Sequence, residues 1–329
     1  MPADKRPPRF PPPQFPMRKP KLFATTPPAL FLVLLGLLGL GLALRKAAHV
    51  TGLPGEPVEA LLGALLGLWV FAVLALKVKV IRRPMVLLED MRPLPGRAGL
   101  AAAAMSGMAV SAVLAPYAPR VALVLVLASL VAHAVLAGLL ILVLAREPEG
   151  KTVNPTWHLS FVGFIVAAPV LLQLGWPGLA KVIFALTFMA ALGIGLLSAV
   201  QLTRRVPPAP LRPMLALHLF AASLLATAAS LIGQDLLALV LALPAALILA
   251  ALVASARWLL ASGFTPLWGA LTFPLSACAT AFLTLGGSFT APGLILTLAS
   301  LALIPPIAWQ VLRLWPGGRL AAHTNAAEA

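Results

Sequence analysis

The sequence predicts an all-α polytopic membrane protein with ten transmembrane helices, and three observations carry that prediction. Of its residues, 61% are hydrophobic and only 10% charged, where a water-soluble domain carries roughly 25% charged residues. Apolar runs of the ~20 residues needed to cross the hydrocarbon recur along almost the whole chain. The Lys and Arg residues lie mainly at the ends of these runs and in short connections, as topology signals do. The net charge of +15 therefore belongs to membrane orientation, and no nucleic-acid partner is expected. The chain divides into a Pro-rich basic tail over 1–26, a ten-helix transmembrane domain over 27–316 and a short tail over 317–329.

The N-terminal stretch MPADKRPPRFPPPQFPMRKPKLF holds eight prolines in its first 20 residues and six Lys/Arg by residue 21. Proline at this density prevents a helix and favours an extended, solvated chain. No apolar core precedes a cleavage site, so the stretch does not read as a secretory signal. Its cations suit contact with anionic lipid at the cytoplasmic surface. The spans are then expected at 28–45, 57–80, 98–116, 120–145, 155–173, 178–203, 210–231, 234–259, 265–286 and 292–315. An even number of spans puts both termini on one side. That side carries twenty Lys/Arg, while the other carries four, Arg45, Lys46, Arg120 and Lys181. The positive-inside rule thus predicts cytoplasmic termini and a multi-pass protein of the cell's inner (plasma) membrane. Trp157, Trp176, Trp268 and Trp315 fall near span ends, where indoles favour the interface.

The odd spans open alike, with TTPPAL, PLPGRAGL, VNPTWHL, PLRPML and FTPLWG. Their leading prolines, Pro27, Pro95, Pro155, Pro213 and Pro266, are spaced by 68, 60, 58 and 53 residues. Proline is favourable in a first helical turn, where its missing N–H costs nothing. A period of this length suggests one helical hairpin used five times, with the odd helices lining a central pore and the even helices outside. The other reading of the same prolines is that proline simply starts many membrane helices.

The nine acidic residues all map to tails, loops or span ends. Proton- and sodium-coupled carriers usually hold carboxylates within the membrane, so the pattern favours neutral or anionic cargo. His133, in the apolar run LVAHAVLAGLL, reads as a neutral residue hydrogen-bonded between helices. His158 in NPTWHLSF and His218 in LALHLFAAS sit in the first turns of spans five and seven. They suit either a vestibule or ordinary interfacial packing. The lone Cys278 excludes an internal disulfide. No HExxH spacing, intramembrane carboxylate cluster or hydrolase triad is present, so neither an enzyme nor a metal or cofactor site is expected.

The most informative stretch is GFTPLWGALTFPLSACATAFLTLGG in span nine. At 100° per residue, Gly269, Thr272, Phe273, Ser276, Ala277, Thr280 and Thr284 share one face of the helix. Pro274 cannot donate to the carbonyl of Ala270, so a kink is expected beside Phe273; Pro169 is expected to bend span five likewise. Two accounts fit the face. The hydroxyls line a watery lumen plugged by the Phe273 ring, or they bond their own backbone and a neighbouring helix while the ring fills a void. Gly36, Gly39 and Gly41 of span one serve tight packing, a wide lumen or both.

Three segments, GLLGLGLALR, NPTWHLSFVGFIVAAP and GFTPLWGALTFPLSACATA, resemble the tellurite-resistance/dicarboxylate transporter family over about residues 27–290. That family includes the bacterial TehA-type channel and the plant slow anion channels. The resemblance implies five hairpins, an odd-helix pore, a homotrimer, and passage of small inorganic anions or malate-type dicarboxylates. It also implies a role in tellurite resistance for some members and makes Phe273 the pore gate. A proton-coupled carrier for dicarboxylates or oxyanions, using a histidine, is the alternative. Span seven, HLFAASLLATAAS, departs from the family in lacking a mid-helix proline.

Overall fold

In the computed structural model, which describes residues 21–146 and 152–329, every regular element is helical. The expected N-terminal tail lies, as far as residue 20, outside the described residues. In chain order the main helices are α1 (Leu30–Thr51), α2 (Glu56–Arg82), α3 (Leu94–Leu114), α4 (Pro119–Arg146), α5 (His158–Gln173), α6 (Pro177–Arg204), α7 (Ala209–Leu231), α8 (Asp235–Ala254), α9 (Pro266–Leu285) and α10 (Gly287–Leu312). Among the described residues nine of these are long and apolar enough to cross a membrane, and α5 is the shorter exception. Helix α1 runs past Arg45 and Lys46 to Thr51 and stops at Gly52, which has φ 70°. Long cationic side chains carry their charge towards water from a helix end, so this pair does not terminate the helix.

The shortness of α5 has a local cause. It is a π-turn over His158–Val162, a 3-10 turn over Gly163–Val166 and α-helix only over Ala167–Gln173. Its 16 residues span about 24 Å at α-helical rise, below the ~30 Å of a bilayer core. Pro169 lacks an N–H for the carbonyl of Ile165 and crowds it, and the irregular turns lie directly upstream. Backbone at this depth needs protein partners. His133 on α4 supplies one, its Nε2 donating to the Ser160 carbonyl at 3.1 Å with the ring edge-on to Phe164.

The helices fall into two classes by burial. In α1, α3, α7 and α9, 67% to 83% of the apolar stretch is buried inside the protein, against 17% to 33% in α2, α4, α6, α8 and α10. The five odd helices touch in sequence: α1 with α3, α3 with α5, α5 with α7, α7 with α9, and α9 with α1. The even helices turn Leu74, Val131, Leu186, Leu247 and Leu298 outward, as a surface facing lipid requires. Pro27 and Pro155 precede α1 and α5, Pro266 opens α9 and Pro95 is the second residue of α3, whereas Pro213 lies inside the 3-10 turn that opens α7.

The tightest approach is α1 on α9. A Cβ at Gly36 would lie 2.0 Å from Thr272 Oγ1, and one at Gly39 would lie 2.4 Å from Ser276 Oγ and 2.9 Å from the Phe273 ring. Gly41 faces away from this seam, towards Leu62 on α2. Beyond α10 the chain folds back through a short helix, Arg319–Thr324, whose Leu320 is buried. The Ala327 N–H then donates to Asp90 Oδ1 at 2.7 Å.

Candidate functional site

A cavity of about 520 Å³ lies between the odd helices. Each of the five contributes to its lining: Gly39, Leu42, Arg45 and Lys46 from α1, Ala109 and Ala112 from α3, Pro169 and Gln173 from α5, Leu224 and Thr227 from α7, and Phe273, Ala277, Thr280 and Thr284 from α9. No even helix lines it. Along α9 the lining runs from Phe273 to Thr284, about 16 Å at α-helical rise. The cavity therefore extends from mid-helix to the C-terminal ends of the odd helices, where Gln173 and Leu231 are exposed.

Phe273 stands at the deep end. It is only 7% exposed, and its ring meets that of Phe220 on α7 at a centroid distance of 5.8 Å. Pro274 follows it inside a helix that continues from Gly269 to Leu285. Gly39 explains how α1 passes the ring so closely, since a methyl group there would meet Cδ2.

The structure divides the hydroxyl ladder of α9. Thr280 and Thr284 line the cavity, whereas Thr272 and Ser276 are buried on α1 and do not line it. Thr272 Oγ1 lies 2.7 Å from the Gly269 carbonyl and 3.3 Å from the Leu32 carbonyl, and Ser276 Oγ donates to the Phe273 carbonyl at 3.0 Å. Gly269 is likewise packed, against Leu32 and Val33 of α1. The two cavity-facing hydroxyls also bond backwards: Thr280 donates to the Ser276 carbonyl at 3.0 Å and Thr284 to the Thr280 carbonyl at 2.8 Å. Thr227 does the same, to the Ser223 carbonyl at 3.0 Å. Each of these hydroxyls thus has a backbone carbonyl of its own helix as acceptor.

The charged lining is all cationic. Arg45 is neutralised by Glu59, with Nε to Oε1 at 2.7 Å and Nη2 to Oε2 at 2.5 Å. It also donates to the Ala112 and Val113 carbonyls at 3.1 and 3.3 Å, tying the C-terminal ends of α1 and α3 to the start of α2. Lys46 is half-buried and has no ion pair or hydrogen bond among the described residues.

The structure brings His158 and His218 together away from this cavity. His158 Nε2 and His218 Nδ1 are 2.7 Å apart, one donating to the other, with the rings edge to face. His158 Nδ1 and His218 Nε2 are buried without a partner among the described residues. His218 precedes Phe220 by two residues, so the pair lies on the helix-entrance side of the Phe273–Phe220 contact. No group of three or more metal-binding side chains occurs among the described residues.

The sequence did not single out Phe220, Lys46 or Gln173. Phe220 carried a weak signal, as a large ring in the small-residue run of HLFAASLLATAAS. Lys46 carried another, as one of only four cations on its side of the membrane.

Nine membrane-length helices among the described residues, four of them largely buried, define a multi-pass membrane protein. The chain belongs to the voltage-dependent anion channel family, SLAC1, which it matches over residues 25–312. Its class is thus that of anion channels and transporters. No curated protein matches the chain.

Proposed function

We propose that this chain is an anion channel or transporter whose path follows the axis of α1, α3, α5, α7 and α9, closed by the Phe273 ring. The observation that carries this reading is the cavity, lined from all five odd helices and no even one, with Phe273 at its deep end. On this reading α5 is the tenth membrane crossing and the helices pair into five hairpins, α1–α2 to α9–α10. Thr280 and Thr284 line the outer half of the path, while Gly269, Thr272 and Ser276 hold α9 against α1. Pro274 bends the gate helix and Pro169 shapes the wall opposite. Both termini are cytoplasmic, the basic tail over 1–26 touches anionic lipid, and the protein works in the plasma membrane as a homotrimer, as its family resemblance implies. Passage of tellurite-like oxyanions through such a path would give a role in tellurite resistance.

The reading is tested by Phe273→Ala in planar bilayers. Removing the ring opens the constriction, so anion conductance should rise well above that of the parent. Parental conductance in a correctly folded variant would sink the gate assignment.

The His158–His218 contact favours a second reading, a proton-coupled carrier for dicarboxylates or oxyanions. It expects uptake that follows an imposed pH gradient and is lost in His218→Gln. Uptake indifferent to the gradient rules it out.

A further inference from the structure

We propose that the cavity on the outer side of Phe273 contains an anion-binding site built on Lys46, and that it takes one small monovalent anion, halide- or nitrate-sized, in preference to a dicarboxylate dianion. The proposal rests on the reading of this cavity as the outer half of an anion path. Its own argument is one of charge and donors.

Any anion entering this cavity loses part of its hydration and needs cationic or hydrogen-bonding partners in return. The hydroxyl stripe is a neutral and weaker source, because Thr227, Thr280 and Thr284 each donate backwards to a carbonyl of their own helix and would give up that bond to meet an anion. Arg45 contributes no net charge, because Glu59 engages it through both carboxylate oxygens. Among the described residues no carboxylate lines the cavity, and Glu56 and Asp235, also at this end, are exposed and outside it. Among the described residues the uncompensated lining charge is therefore one, the Lys46 ammonium, and the Gln173 amide adds a further donor to the same lining. Lys46 presents three donors on a flexible stem, suited to a compact anion as a point charge.

The same arithmetic sets the valence. One monovalent anion brings the lining to neutrality. A dianion leaves a net negative charge against walls made mostly of Leu42, Ala109, Val170, Leu224 and Ala277, and an unpaired charge among apolar groups is costly. The position of Lys46, seven residues beyond Gly39 on α1, puts the site about 10 Å from the level of the Phe273 ring. An anion there is concentrated outside the constriction without being seated in it.

Two measurements on the full-length protein test this, one of them independent of transport. In detergent, thermal unfolding is followed at constant ionic strength while nitrate or chloride replaces gluconate. A ligand that binds only the folded protein raises the midpoint. The parent and Phe273→Ala should both show the rise, Lys46→Gln should lose it, and Lys46→Arg should keep it; malate should give a smaller rise in the parent. In liposomes carrying the Phe273→Ala background, Lys46→Gln should raise the half-saturating chloride concentration about tenfold, the scale of one nearby charge at intermediate dielectric. A nitrate-dependent rise that survives in Lys46→Gln overturns the site, whatever the flux. A rise with malate larger than with nitrate overturns the valence. Loss of the rise in Lys46→Gln with no flux through Phe273→Ala leaves the site standing and refutes the path on which it was read.

Discussion

Glycine at two positions of α1 decides how near α9 can come. At Gly36 an added Cβ would fall 2.4 Å from the Cβ of Thr272 and 2.0 Å from its Oγ1. At Gly39 the nearest atoms are instead Ser276 Oγ at 2.4 Å and the Phe273 ring at 2.9 Å. Overpacking of this kind costs about 1–3 kcal/mol. Gly36→Ala and Gly39→Ala should both lower the unfolding midpoint in detergent. They should part company on relief. Ser276→Ala removes the atom that Gly39→Ala strikes first and should restore much of its stability. Thr272→Ala keeps the offending Cβ and should restore little to Gly36→Ala. Equal relief in the two pairs would contradict the stated contacts.

Among the helices, α5 departs furthest from regularity, and α4 supports it there. The π- and 3-10 turns of His158–Val166 leave an irregular run of carbonyls in a buried apolar segment. His133 reaches across from α4 to one of them, at Ser160. A buried carbonyl left without its donor costs about 1–3 kcal/mol. His133→Leu should therefore destabilise the protein by that order in chemical or thermal unfolding, and His133→Gln, which keeps a donor, should recover part of the loss. An unperturbed His133→Leu variant would mean that the α5 backbone is satisfied without α4. The same irregularity explains why α5 falls short of membrane length while its apolar run reads as a span in the sequence.

Across the whole molecule, a buried ion pair joins segments far apart in the chain. Lys79 Nζ lies 2.7 Å from Asp90 Oδ2 and donates to the Thr26 carbonyl at 3.0 Å, just before α1. The other oxygen of Asp90 accepts from Ala327, and the Ala329 N–H bonds to Ala24. Burial raises the Asp90 carboxyl above its ordinary pKa, with the Lys79 ammonium and the Ala327 N–H pulling it back down. Removing one partner of a buried pair costs about 3–5 kcal/mol, because the other charge is stranded. Asp90→Asn should thus depress the unfolding midpoint strongly, and Lys79→Met/Asp90→Leu should do so much less. A double variant as unstable as Asp90→Asn would show that the loss comes from packing and not from the stranded charge.

The sequence by itself determined the membrane class, the approximate course of the long apolar helices, and the placing of Phe273 with hydroxyls on one helix face. Those features depend on local quantities: hydrophobic length, proline and glycine punctuation, and 3.6-residue periodicity. It reached the family through the same short motifs. Only the tertiary structure decided which half of that face meets a cavity. A helix wheel gives the direction of a side chain and not its neighbour, so Thr272 and Thr280 look equivalent until α1 closes over one of them at Gly36. The pairing of His158 with His218, 60 residues apart, was hidden for the same reason. So was the difference between Arg45 and Lys46, adjacent in sequence. Glu59, one turn into α2, engages Arg45 and leaves Lys46 as the cation without a counter-charge.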